Sequence, residues 1–289
     1  MTKDQIQELR FQPLGRDGLK TLVKWAEGEG WNPGPYDAEA FWEADPNGFY
    51  GCFHGDELIG GGSIVSYDGN FGFMGFFIVR PEYRGNGIGR TLWYRRRDLL
   101  LSRLKPGAAI GMDGVLAMQS FYQQGGFHIA FRDERYERIG EQLDTDARVS
   151  LFQEGDLNEI LEYDRVCFGF PRERFLKSWL NLPESRTFIW RDDNGLRGVA
   201  TLRKATTGFK IGPLFADNAG IAEALYRACL NAAPGEPVYL DIPVSNPAAV
   251  NLVRKYDARY VFECARMYYG NVPDLPVERI YGITTFELG

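Results

Sequence analysis

Residues 79–89 read Val-Arg-Pro-Glu-Tyr-Arg-Gly-Asn-Gly-Ile-Gly, and the fold turns on the segment Arg84-Gly85-Asn86-Gly87-Ile88-Gly89. Upstream, Phe71 to Val79 is a continuous aromatic and β-branched run, which predicts a buried strand stopped by Arg80-Pro81. Downstream, Ile88, Leu92 and Leu99 recur at helical spacing, with Arg90, Arg95, Arg96 and Arg97 on the other faces. Between the two, glycines permit a tight turn and let backbone N–H groups approach a ligand with no Cβ in the way. The first helical turn adds unpaired N–H groups and the positive dipole end, and Arg84 adds a full charge. The turn is built to hold an anion, and a diphosphate fits it.

Two familiar phosphate loops are excluded. A P-loop ends in Gly-Lys-Ser/Thr, whereas this turn ends in Gly89-Arg90-Thr91. A dinucleotide fold needs a third glycine at a fixed offset and an acid for the ribose on the next strand, and no such acid is present. The turn resembles the coenzyme A loop of the GNAT-type N-acyltransferase superfamily, Arg/Gln-x-x-Gly-x-Gly/Ala after a strand ending in Val-x-Pro. Arg84, Gly87 and Gly89 fit that pattern, preceded by Val79 and Pro81. A second motif follows. The short apolar run Ala108–Met112 precedes Asp113-Gly114 and a helix-like stretch closing on Gly126-Phe127. The family carries a tyrosine-bearing helix ending in Gly-Phe at this place, which Tyr122 matches, while Asp113 departs from a commoner asparagine.

At 289 residues the chain is long enough for two domains. Setting Gly75-Phe76-Phe77-Ile78 over Gly208-Phe209-Lys210-Ile211, an offset of 133, also aligns Gly87 with Gly220, Ile88 with Ile221 and Leu92 with Leu225. The second half therefore reads as a diverged copy. Arg84 becomes Asp217, Gly85 becomes Asn218 and Gly89 becomes Ala222, while Tyr122 falls opposite Val253. A carboxylate in the anion seat would repel a diphosphate by about 1 kcal/mol or more, so coenzyme A is not expected there. The runs Gly212–Asp217, Asp241–Pro243 and Arg266–Gly270 resemble a C-terminal domain fused to some bacterial acyltransferases of this type. The expected fold is α/β: tandem GNAT-like domains, 1–140 catalytic and 151–289 diverged, each a twisted mixed sheet flanked by helices. Gly140–Arg148 is polar and aperiodic, the best linker.

Composition narrows the class further. The four cysteines, Cys52, Cys167, Cys229 and Cys264, are scattered and form no CxxC pair, so neither a zinc site nor a disulfide framework is indicated. His54 and His128 make no helical ligand pair, so no metal is expected. Met1–Arg10 is polar, and no apolar stretch approaches membrane-spanning length. A soluble cytoplasmic protein is expected, without membrane or nucleic-acid partners, since a net charge of −6 disfavours the latter.

The resemblance implies acetyl-CoA as co-substrate and a small-molecule amine as acceptor. It places backbone groups of Phe77, Ile78 and Val79 along the pantetheine arm, and Arg84, Gly85, Asn86, Gly87, Ile88, Gly89 and Arg90 around the diphosphate. It also makes Tyr122 the donor to the departing sulfur. Glu43, Asp113 and Asp241 are candidate bases without diagnostic spacing. The stretch Trp25–Phe49 holds Trp31, Tyr36 and Trp42 among Glu27, Glu29, Asp37, Glu39, Glu43 and Asp45. Aromatic faces beside carboxylates suit a cationic primary amine. The second half then walls the acceptor pocket or mediates self-association as a homodimer. The alternative from another class is a binding module that senses acyl-CoA or an amine without turnover.

Overall fold

A computed structural model describes residues 9–289; the first eight residues of the polar N-terminal stretch lie outside the described residues. The first half runs β1 (Arg10–Pro13), α1 (Arg16–Gly28), α2 (Asp37–Ala44), β2 (Phe49–His54), β3 (Glu57–Tyr67), β4 (Phe71–Val79), α3 (Ile88–Arg103), β5 (Ala109–Val115), α4 (Gln119–Gln124) and β6 (Phe127–Ile139). The second half runs β7 (Val149–Leu151), α5 (Leu157–Phe168), α6 (Glu173–Trp179), β8 (Arg186–Asp192), β9 (Gly195–Lys204), β10 (Phe209–Ala216), α7 (Ala219–Asn231), β11 (Pro237–Pro243), α8 (Pro247–Lys255), β12 (Arg259–Tyr269) and β13 (Ile280–Gly282).

All thirteen strands join one mixed sheet in the order β1-β2-β3-β4-β5-β12-β6-β11-β10-β9-β8-β7, with β13 beside β10. Exchanging each strand for its counterpart in the other half reverses this order, so the two halves are related by a pseudo-twofold axis between β6 and β12. Those two strands cross over. β12 pairs antiparallel with β5 of the first half, and β6 pairs antiparallel with β11 of the second. Ten residues of β12, Arg259 to Tyr269 apart from a bulged one, pair with β6 along the axis. The polar segment after β6 thus divides the chain without dividing the sheet.

The predicted strand and helix around the glycine turn form as β4 and α3 because both bury an apolar surface. Phe71, Phe73, Phe76 and Ile78 face the cluster built on Leu19, Leu22 and Phe41 from α1 and α2. Met74 faces the opposite cluster, with Trp93 and Leu100 of α3. One arginine departs from the amphipathic pattern read for α3: Arg96, placed by that pattern off the face of Ile88, Leu92 and Leu99, is only 2% exposed. Gly62 of β3 makes this packing feasible, since a Cβ there would overlap the Arg96 guanidinium.

The repeat is real in topology, but its register differs from the offset of 133. The β4 bulge lies between Gly75 and Ile78, and the corresponding β10 bulge lies between Ile211 and Leu214. Gly87 N-caps α3, whereas Asn218 N-caps α7. Bulges and caps, not letter-for-letter glycines, are the equivalent positions, and they shift the frame by two or three residues in opposite senses.

Candidate active site

β4 and β5 pair in parallel only from Phe71–Phe73 to Ala109–Gly111 and then splay. The wedge between them opens into a cavity of about 540 Å³. Its β4 wall is the bulge, where Phe76 adopts φ +48°. A bulky non-glycine residue in the left-handed region stores strain of order 1–3 kcal/mol, and such strain gathers at functional sites. The bulge is braced from behind. Arg96 Nη2 donates to the Ser63 carbonyl and, at 2.7 Å, to the Gly75 carbonyl, and the Gly75 N–H donates to Ser63 Oγ at 2.8 Å. Burial depresses the Arg96 pKa to about 9, and its Nε and Nη1 have no partner among the described residues.

The glycine turn closes the wedge. Gly85 and Gly87 have φ +79° and +80°, a conformation that favours glycine. A Cβ at either would meet nothing within 4 Å, so the space before them is open. Gly87 gives α3 no side-chain cap, which leaves its first N–H groups available to an anion. Gly89 lies in the first helical turn, where a Cβ would stand 3.5 Å from Phe77 and 3.7 Å from Val79. Arg84 is anchored by Nε to the Val79 carbonyl at 2.7 Å and pairs through Nη2 with Glu29. These residues fit a diphosphate and an extended arm.

Tyr122 enters the cavity from α4. Gly114 makes room for it, since a Cβ there would lie 3.0 Å from the ring. Its ring stacks on Trp93 at 5.9 Å and meets Phe77 edge-on at 6.5 Å. Burial raises the phenol pKa well above its usual value, against the pull of Arg96. The group therefore stays a protonated donor at neutral pH.

The second half supplies the remaining wall. Phe262 and Cys264 of β12 and Phe286 and Glu287 of the C-terminal segment line the same cavity. The segment is fixed by Tyr67 Oη donating to the Leu288 carbonyl at 2.8 Å and Arg172 Nη1 donating to the Gly289 carbonyl at 2.9 Å. Trp31 is also held from across the axis, its carbonyl accepting from Arg135 Nη1 and from Lys210 Nζ, both at 3.0 Å. Beneath the wall lie buried ion pairs, Arg135 with Asp241 at 2.6 Å, Arg203 with Asp37 at 3.0 Å and Arg266 with Asp113 at 2.7 Å. Burial raises the Asp113 pKa to about 6 against the lowering effect of Arg266.

Of the residues singled out in sequence, Phe77, Ile78, Val79, Arg84, Gly85, Gly89, Tyr122, Trp31 and Asp113 line the cavity. Gly87, Asn86 and Ile88 belong to the turn and the helix start beside it, Ile88 being buried, and Arg90 lies over the Tyr94 ring. Others sit elsewhere. Tyr36 donates to Glu184 at 2.9 Å, Trp42 stacks on Phe49, Glu43 pairs with Arg16 at 3.0 Å, and Asp241 is committed to Arg135. Sequence reasoning did not assign Phe262, Cys264, Phe286 and Glu287 to the site, and they stand more than a hundred residues from the glycine turn and from Tyr122. No local signal marks them.

In the second half the equivalent wedge is filled. β10 and β11 pair in parallel from Phe209–Ile211 to Val238–Leu240, and β13 then enters beside β10, with the Ile283 N–H donating to the Asp241 carbonyl at 2.9 Å. The Asn218 side chain accepts from the Ile221 N–H, so α7 is capped from within. Asp217 accepts from Tyr163 Oη at 2.8 Å and pairs with Arg197 and Arg279. Among the described residues no cluster of three or more His, Cys, Asp or Glu could hold a metal, and no helix is long and apolar enough to cross a membrane.

Comparison with known proteins agrees with this architecture. A profile described as "Acetyltransferase (GNAT) family" matches residues 16–127, and one described as "Acetyltransferase (GNAT) domain" matches residues 160–282. Holothin acyltransferase from Pseudoalteromonas sp. (strain SANK 73390) is 29% identical over 280 residues, 96% of this chain and 94% of that protein. The uncharacterized N-acetyltransferase YitH of Bacillus subtilis (strain 168) is 26% identical over 201 residues, 67% of this chain and 69% of that one. In fold, the chain is similar to a provisionally assigned acetyltransferase from Pyrococcus horikoshii, with a TM-score of 0.83 at 22% identity over 98% and 96% of the two chains. It is also similar to a tandem GNAT protein from the clavulanic acid biosynthesis pathway, with a TM-score of 0.65 at 15% identity over 92% and 100% of the two chains. With one GNAT fold in each half, the halves joined by exchanged strands, this acyltransferase belongs to the GNAT superfamily as a tandem member.

Proposed function

We propose that the chain transfers an acetyl group from acetyl-CoA to a primary amine of a small molecule, by direct attack in a ternary complex in the first half. One observation carries this reading: a glycine turn with uncapped helical N–H groups, a strained strand bulge and a buried tyrosine converge on one cavity. The turn and the α3 dipole hold the diphosphate, and the exposed edge of β4 after Phe73 holds the pantetheine arm. Arg96, by binding the Gly75 carbonyl, polarises the peptide that leads into Phe76 and stiffens the bulge against which the thioester carbonyl lies. Tyr122 donates to the sulfur as the C–S bond breaks and the N–C bond forms. Its raised pKa makes it a hydrogen-bond donor through the working pH range.

The second half carries no second coenzyme site in this reading, because β13 occupies the wedge and Asn218 and Asp217 close the turn. Calorimetric titration with acetyl-CoA tests both statements. One site per chain is expected; two would remove the argument from β13, and none would remove acetyl-CoA as donor.

A further inference from the structure

Three carboxylates line the cavity, Glu29, Asp113 and Glu287. Glu29 is paired with Arg84 and Asp113 with Arg266. Glu287 makes no ion pair among the described residues, although it is only 3% exposed. Its one side-chain partner is the Thr285 hydroxyl, which also accepts from the Glu287 N–H at 3.1 Å. Two cations within electrostatic reach of it, Arg135 and Lys210, are spent elsewhere. Arg135 is bidentate on Asp241 at 2.6 and 2.7 Å, and Lys210, its pKa lowered to about 7 by burial and by Arg135, donates to the Trp31 carbonyl. A buried carboxylate without a counterion is costly unless a cation completes it.

We propose that Glu287, delivered from the C-terminal segment into the first-half cavity, is the seat and proton acceptor for the ammonium group of the acceptor, with the Trp31 ring in the same wall taking an apolar or aromatic body. This rests on the acetyl-transfer reading above and assigns the base that reading leaves open. The chemistry balances with two protons. The first passes from the ammonium nitrogen to a Glu287 carboxylate oxygen and leaves a neutral amine. The nitrogen lone pair then forms the N–C bond, the C–S bond breaks with its electron pair on sulfur, and the second proton, shed by nitrogen, ends on that sulfur. Glu287 returns its proton to solvent.

The test compares binding of tryptamine and of its neutral counterpart tryptophol, with coenzyme A present, to wild type, Glu287→Gln and Glu287→Asp. Acetyl-CoA binding is titrated on the same preparations. Wild type is expected to prefer the amine by about tenfold or more, the scale of one charge-assisted hydrogen bond. Glu287→Gln should lose that preference, and Glu287→Asp should keep part of it. A wild type that binds both alike or neither, or a Gln variant that keeps the preference, overturns the proposal. Should acetyl-CoA bind none of the proteins, the donor reading fails; should it bind while the amine preference is missing, only Glu287 does.

Discussion

The backbone carbonyl of Glu287 stands where a side chain on Gly75 would have to go: a Cβ at residue 75 would overlap it. Ser63 joins the two, its hydroxyl accepting from the Gly75 N–H at 2.8 Å and lying 3.4 Å from the Glu287 carbonyl as donor. The bulge of β4 and the C-terminal segment are therefore fitted to each other across 212 positions of sequence.

Gly75→Ala should push that segment away, because the obstacle is backbone and not a flexible side-chain tip. A loss of about 1–3 kcal/mol is expected, the usual range for overpacking. Hydrogen exchange should locate the loosening at Thr284–Gly289 while α3 keeps its protection.

Tyr122→Phe removes the donor and keeps the ring on Trp93. Turnover should fall by about a hundredfold or more, on the order of a general-acid contribution, with acetyl-CoA affinity within about twofold of wild type. Because burial raises this phenol's pKa, Tyr122 should put no alkaline limb on the wild-type rate profile below about pH 9.

Gly87→Ala places a Cβ in open space yet at φ +80°, so it costs about 1–2 kcal/mol in strain without a clash. That Cβ stands at the uncapped start of α3. Calorimetry should show acetyl-CoA binding weakened by more than the small drop in melting temperature accounts for.

Lys210 offers a pH test. Burial and Arg135 lower its pKa to about 7, below the unfolded value, so the folded chain binds fewer protons than the unfolded one between pH 7 and about 10. The neutral lysine's contribution is complete above about pH 10 and is lost as pH falls through 7. Lys210→Met should therefore be more stable than wild type near pH 6.5, by at most about 5 kcal/mol, with the gap closing toward pH 10. Thermal melts of both proteins across that range check the sign.

The elements around the glycine turn were legible because their signals are local: Pro81 ends β4, and Gly85 and Gly87 need positive φ. The duplication was legible as a pattern, but its frame was not, because both halves carry the same bulge while the path from bulge to helix cap is shorter in the second, Ile211 to Asn218 against Gly75 to Gly87, and glycine spacing does not register that. Asp37 and Tyr36 read as an acidic aromatic face, yet they bridge to Arg203 and Glu184 of the other half. The burial of Arg96 was not legible, because a helical period cannot register that Gly62 on a neighbouring strand leaves a hole. Glu287 was beyond reach for a similar reason. Its neighbours are set by which strands exchange, and no run of letters near the C-terminus encodes that.

The wedge of the second half, filled by Ile280–Gly282, has a consequence for how a duplicated chain comes to be inseparable. The second-half groove takes the chain's own Ile280–Gly282, and the seven residues that follow, Ile283–Gly289, run on to the first-half groove and complete its wall. Since β6 and β12 also trade places, cutting the chain after β6 would leave one piece without its β12 partner and its carboxylate, and the other without the strand beside β11. The second half is the anchorage of the cavity in the first.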